Sequence, residues 1–221
     1  MPGDFRVLVL ISGRGSNLKA MIEQASAYRV AAVLSNNPEA GGLHYAREAG
    51  IPEFAFDRRD YPSLAALKHA IFARTEEISP DLVALAGFMQ VVQPEFVRAY
   101  KGRMVNIHPS LLPKHPGLDT HRRVLAAGDT RHGCTVHFVD AGVDTGPLIA
   151  QAQCEICSGE TEESAASKVL AWEHRIYPWV LNSIARGGIR LGANGVEADD
   201  QARDDARARG FILAAAAEAR P

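Results

Sequence analysis

Short runs of consecutive apolar residues alternate along the chain with stretches whose apolar positions recur every three or four residues. "FRVLVLIS" is continuous and β-branched, the pattern of a strand buried on both faces, and "NLKAMIEQASA" sets Leu18, Met21, Ile22 and Ala25 on one helical face. The pair of signals repeats in the strand "VAAVLSN", the helix "AGGLHYAREAG" closed by Gly50, and the strand "IPEFAF". A helix from about Leu64 to Ile78, with Leu67, Ile71 and Ile78 on its buried face, precedes the strand "DLVALAGF". Helices regularly interposed between buried strands predict right-handed crossovers and an α/β fold, a doubly wound, mostly parallel sheet with helices on both faces.

The second part has a different rhythm. "RMVNIH" reads as a strand that runs into "NIHPSLLPKHPG", where Pro109, Pro113 and Pro116 exclude a continuous helix or central strand. "THRRVLAAGD" reads as a short helix, and "HGCTVHFVD" and "GPLIAQAQCEI" as strands separated by the turn-rich "AGVDTG". A long amphipathic helix follows, entered through Thr161 and ended by Gly187 and Gly188. Residues 1–190 are therefore expected to form one domain. Residues 191–221, charge-rich and then alanine-rich, are expected to form a solvated or partly helical tail without a core face.

Composition narrows the function. A net charge of -2 gives no reason to expect nucleic acid or an anionic membrane as a partner, so small-molecule chemistry is the expectation. No apolar run approaches the roughly 20 residues that span a bilayer, and no basic region precedes the first apolar run. A cytoplasmic protein is expected. Three cysteines fit reduced thiols better than a disulfide framework, and strand alternation sends the CxxC pair Cys154 and Cys157 to opposite faces.

Two places offer chemistry. "ISGRGSNLKAM" joins the first strand to the first helix, where backbone amides and the helix dipole favour an anion. Gly13 and Gly15 let the backbone come close to a ligand, while Ser16 and Asn17 can donate or cap. Leu18 stands where the dinucleotide fingerprint needs its third glycine, and the second strand ends in "LSNN" without an acidic residue for a ribose. The turn is thus a single-phosphate site or a tight capped turn, not an NAD site. Asn106, His108 and Asp144 each fall at the end of a predicted strand or just after it, the edge at which open α/β sheets bind ligands. An Asn amide can donate to a developing oxyanion, a His can exchange a proton near neutral pH, and a nearby carboxylate raises the pKa of an imidazole. His108, His115, His121, His132 and His137 cluster in sequence, but no metal-ligand spacing accompanies them, and no metal is expected.

"ISGRGSNLKAM", "LALAGFMQVV", "NIHPSLLPKHPGLDTH", "HGCTVHFVDAGVDTGP" and "WEHRIYP", in this order, resemble the folate-dependent phosphoribosylglycinamide formyltransferase family over about residues 5–190. The resemblance implies a Rossmann-like formyltransferase fold and formyl transfer from 10-formyltetrahydrofolate, as co-substrate, to the amine of glycinamide ribonucleotide. It divides the domain into a phosphate-binding half, about 1–100, and a folate and catalytic half, 101–190. Gly15, Ser16 and Asn17 match binders of the ribonucleotide phosphate, and Glu173 a residue that contacts that substrate. Met89, Gln90, Val91 and Val92, with Asn106, Asp140, Ala141, Gly142, Val143 and Asp144, match the folate pocket. Asn106, His108 and Asp144 match the catalytic set. The family often has an arginine that touches folate where this chain has Leu64, with Arg58 and Arg59 nearby. Relatives that formylate initiator tRNA or hydrolyse formyltetrahydrofolate usually add a domain for which this chain is expected to have no room; a monomer or homodimer is expected.

Overall fold

The computed structural model describes residues 4–214. The chain divides into two compact units, one ending at Val105 and the other beginning at Asn106. The alanine-rich end of the predicted tail, from residue 215 onward, lies outside the described residues.

The first unit contains β1 (Phe5–Ile11), α1 (Ser16–Glu23), β2 (Tyr28–Ser35), α2 (Gly42–Glu48), β3 (Glu53–Ala55), α3 (Leu64–Ile78), β4 (Leu82–Leu85) and α4 (Pro94–Ala99). Its strands run in the order β4-β1-β2-β3, and β1 pairs in parallel with both β2 and β4. Val7, Leu8, Val9, Leu10 and Ile11 are fully buried, as a strand covered on both faces requires. Each such side chain stabilises the fold by about 1.5–3 kcal/mol through removal from water. Helix α3 keeps its predicted bounds, but Thr75 rather than Ile78 joins Leu67 and Ile71 on the buried face. The Thr75 hydroxyl donates to the Ile71 carbonyl at 2.9 Å, which satisfies it inside the helix. Helix α4 has no counterpart in the sequence reading. Six residues opened by Pro94 at the first turn are too few for a periodic signal.

Strand β5 (Met104–His108) leads from the first unit into the second. There follow α5 (Thr120–Ala126), β6 (Arg131–Phe138), β7 (Leu148–Glu155), α6 (Glu162–Ala185), β8 (Ile189–Gly192), β9 (Gly195–Ala198), α7 (Asp200–Arg209) and β10 (Ile212–Leu213). Within this unit the strand order is β10-β7-β6-β5, with β6–β7 and β7–β10 antiparallel. Helix α6 starts at its predicted cap, where the Thr161 hydroxyl accepts from the Ser164 amide at 3.2 Å. It packs on β6 and β7.

Residues 191–214 depart from the predicted tail. They continue through the β8–β9 hairpin into α7, capped by Asp199 and closed by Gly210 in a left-handed conformation, and β10 then pairs along β7 with Ile212 opposite Gln151. Phe211 is 5% exposed, its ring 5.2 Å from that of Trp179 and 6.3 Å from that of Trp172. The core face of α7 consists of Ala202 and Ala206, one helical turn apart. Alanines among charges carry almost no apolar periodicity, so the face was invisible to pattern reading. Phe211→Leu is expected to cost about 1 kcal/mol from the lost ring contacts, read as a lower denaturation midpoint.

Candidate functional site

In the first unit the strand order reverses between β1 and β4, and ligands of open α/β sheets bind outside the carboxyl ends of strands at such a point. Two of the segments singled out in the sequence emerge there. After β1 the chain turns through Gly15 at φ 75°, and the Gly42 amide donates to the Gly13 carbonyl at 3.0 Å. A Cβ on Gly15 would lie 2.3 Å from the Gly42 Cα, so both the conformation and the close approach demand glycine. Gly15 occupies the N-cap of α1, so the cap position itself offers no side chain, and the first turn of the helix holds no acidic residue. The positive end of its dipole is thereby left to an anion. After β4, the Met89 amide donates to Ser12 Oγ at 2.8 Å, and the Lys68 ammonium to the Val91 carbonyl at 2.7 Å. Met89 and Val91 are 67% and 64% exposed, while Gln90 and Val92 are half-buried. Leu64 is exposed at the start of α3; Arg59 is tied to Asp57, and Arg58 donates to the Tyr61 carbonyl.

In the second unit Asn106, His108 and Asp144 come together. The period of two puts Asn106 and His108 on one face of β5. Asp144 arrives from the loop after β6, where the Asp140 carboxylate accepts from the Gly142 amide at 3.0 Å and the Thr145 hydroxyl at 2.7 Å. Ala141 and Val143 are exposed on that loop, and Asp144 itself sits at φ 55°. Its carboxylate is a hub: Oδ2 accepts from the Gly117 amide at 2.8 Å and lies 3.3 Å from His108 Nδ1, and Oδ1 accepts from Asn106 Nδ2 at 3.4 Å. Asn106 Nδ2 also contacts His137 Nε2 at 3.2 Å, and His137 Nδ1 is 2.9 Å from the Phe138 carbonyl. Burial alone would raise the Asp144 carboxyl, but His137, the Gly117 amide and His108 outweigh it and hold it below its ordinary range.

Asp144 pushes the pKa of the His108 imidazole upward, as a nearby carboxylate is expected to, but it does not decide the net direction. Burial dominates and pushes it below the ordinary value, although the His115 carbonyl and the Asp144 charge both push upward. Its Nε2 is 2.9 Å from that carbonyl and its Nδ1 faces the carboxylate, so two acceptors meet the two ring nitrogens. A neutral ring can donate to only one of them; the imidazolium satisfies both.

The 109–117 loop is held by polar groups that sequence reading did not single out. The Thr135 hydroxyl donates to the Ser110 carbonyl at 2.6 Å and accepts from the Leu112 amide at 3.0 Å, while Gln151 Nε2 donates to the Leu112 carbonyl at 2.8 Å. Period-two alternation in "TVHF" was the one available signal, since it pairs Thr135 with His137. The histidines of the sequence cluster separate: His115 joins Asp129 at 2.7 Å and His121 joins His132 at 2.8 Å. Among the described residues no group of three or more potential ligands is placed to hold a metal ion. Glu173, matched by the resemblance to a substrate contact, is 7% exposed on α6.

An α/β chain with polar groups gathered beside its β5 edge fits group-transfer chemistry, and the family model described as formyl transferase matches residues 5–181. The chain belongs to the formyl transferase family. Its similar relatives include the phosphoribosylglycinamide formyltransferase of Escherichia coli, 42% identical over 88% of this chain and 94% of that one. Also similar is the trifunctional purine biosynthetic protein adenosine-3 of Bos taurus, 45% identical over 88% of this chain but only 20% of that protein. Among solved structures, glycinamide ribonucleotide transformylase 1 from Symbiobacterium toebii superposes with a TM-score of 0.85 at 42% identity, covering 89% of this chain and 94% of that one. The fold class is thus the mixed, mostly parallel α/β class of these enzymes. No described helix is long and apolar enough to cross a membrane.

Proposed function

We propose that this chain transfers the formyl group of 10-formyltetrahydrofolate to the amine of N1-(5-phosphoribosyl)glycinamide, giving the N-formyl ribonucleotide and tetrahydrofolate in de novo purine (IMP) biosynthesis. The observation that carries this reading is the gathering of Asn106 and His108 around the Asp144 carboxylate in a chain of this family. Gly15, Ser16 and Asn17 would hold the ribonucleotide phosphate, and Glu173 would contact the same substrate. Met89, Gln90, Val91 and Val92 would contact the folate, as would the 140–144 loop; Met89 and Val91 offer exposed apolar surface on the first segment and Val143 on the second.

The neutral substrate amine is itself the nucleophile, since an α-amino group titrates near pH ~8. It attacks the formyl carbon, and the carbonyl oxygen becomes negative in a tetrahedral intermediate. Asn106 Nδ2 and His108 Nε2 would donate to that oxygen, which takes the place of the His115 carbonyl as the acceptor of the imidazole. As the intermediate collapses, the proton lost by the amine passes to the departing folate nitrogen, with Asp144 and His108 beside the path. The C–N bond to the substrate forms and the C–N bond to folate breaks, with no enzyme-bound acyl group.

The working His108 is the imidazolium in this scheme, so activity is lost as pH rises through its pKa. Removing the Asp144 charge takes away one of the upward influences and lowers that pKa further. Asp144→Asn is therefore expected to shift the alkaline limb of the pH–rate profile to lower pH and to cut turnover at neutral pH about 10²-fold. An unchanged profile would remove the role. The reading as a whole is tested by mass spectrometry of the products when purified protein is given both substrates: the N-formyl ribonucleotide is expected, and unreacted glycinamide ribonucleotide alone overturns it.

A further inference from the structure

Two neighbouring arginines on α5 are used in opposite ways. Arg122 pairs with Asp119 in the open, where both side chains are more than half exposed and an ion pair contributes little. Arg123 turns its guanidinium back onto the loop that precedes the helix: Nη1 donates to the Pro116 carbonyl and, at 3.4 Å, to the Leu118 carbonyl. No carboxylate pairs with it among the described residues.

The loop that Arg123 grips has an unfavourable backbone. His115, Gly117 and Asp119 take φ of 53°, 79° and 57°, so two residues with side chains sit in the left-handed region and contacts from outside must hold them there. Gly117 lies between the two carbonyls that Arg123 binds, and its amide donates to Asp144 Oδ2 at 2.8 Å. That amide and the Pro116 carbonyl are the two ends of one peptide group. A cation at the oxygen and a carboxylate at the N–H polarise the group in the same sense, and hydrogen bonds linked in this way strengthen one another.

We propose that Arg123 is a positioning residue for Asp144: through the Pro116–Gly117 peptide it strengthens and aims the amide that fixes the carboxylate beside His108. The inference rests on the role given above to Asp144 in formyl transfer. Among the described residues the guanidinium makes no hydrogen bond to Asp144 or His108, so its hold on the carboxylate passes through the peptide. Its charge also lowers the pKa of His108, as that of His137 on β6 does, against the upward pull of Asp144 and the His115 carbonyl. His121 on α5 and His132 on β6 feel the charge of His108 in turn, and the His115 side chain on the loop is paired with Asp129. Removing the Arg123 charge therefore moves the His108 pKa up, the opposite of the shift expected for Asp144→Asn.

The test uses the full chain with Arg123→Gln and Arg123→Lys, at a position exposed enough to spare the core. Without substrates, hydrogen exchange followed by NMR is expected to show the Gly117 amide exchanging about tenfold faster in Arg123→Gln, with the β6 amides at parental rates and the His108 imidazole titrating at higher pH. With both substrates, kcat is expected to fall about tenfold while neither KM changes by more than about twofold. Arg123→Lys, which keeps the charge but not the planar fork, is expected to fall between Arg123→Gln and the parent. Parental exchange at Gly117 overturns the proposal, as does faster exchange throughout β6, which marks a general loosening. A loss confined to KM overturns it too, because Arg123 would then be a substrate contact. A parent chain that yields no N-formyl product defeats the proposed reaction, and the exchange of Gly117 still decides whether Arg123 holds the amide at Asp144.

Discussion

His108→Ala is expected to lower kcat for formyl transfer about 10²–10³-fold with a much smaller change in either KM, because the imidazole acts on charge that develops only in the transition state. His108 Nδ1 lies 3.3 Å from the Asp144 carboxylate, which fixes its orientation, and Nε2 already donates within 2.9 Å to a carbonyl that the formyl oxygen would replace. Asn106→Ala is expected to cost a comparable factor, and the double variant less than the product of the two, because both residues share the Asp144 carboxylate. Steady-state kinetics on the three variants measures this. A kcat within threefold of the parent for His108→Ala would remove the histidine from the chemistry.

Gly146→Ala is expected to damage both stability and rate. A Cβ on Gly146 would sit 1.8 Å from the Phe138 carbonyl oxygen and 2.9 Å from its carbon, and both atoms belong to backbone that cannot swing aside as a side chain could. The strand end or the loop must move, at a cost of about 1–3 kcal/mol or more. In a chain of this size that lowers the melting temperature by roughly 2–4 °C for each kcal/mol. Asp144 lies two residues away on the same loop, and an error of about 1 Å in its placement is enough to cost about 10²-fold in turnover. Thermal melting and kinetics on one preparation separate the two effects. A variant with parental melting and parental turnover would contradict the packing described for this loop.

Much of the fold was legible because its signals are strong. Continuous β-branched runs such as Val7 to Ile11 and the capped helix from Thr161 have few alternative readings, and the structure places both as the pattern predicts. Helix α4 and the segment from 191 to 214 were not legible, the first because six residues hold less than two turns, the second because Ala202 and Ala206 bury small side chains among charges. Of the candidate site, Asn106 and His108 could be read from a strand end and a period of two, and Asp144 from the turn-rich loop after β6. Their mutual distances could not, since no local pattern encodes which loop reaches which strand. The direction of the His108 pKa was missed for a related reason. Sequence offers a carboxylate partner but not the burial that outweighs it.

The central claim is that a small ribonucleotide amine, and not a tRNA or water, accepts the formyl group. Purified protein with 10-formyltetrahydrofolate, challenged in parallel with glycinamide ribonucleotide, aminoacylated initiator tRNA and buffer alone, tests it most directly. The account predicts tetrahydrofolate release coupled to N-formylation of the ribonucleotide, slowed about 10²–10³-fold by His108→Ala. Release of tetrahydrofolate in buffer alone at the same rate, or formylation of the tRNA in preference to the ribonucleotide, would contradict it.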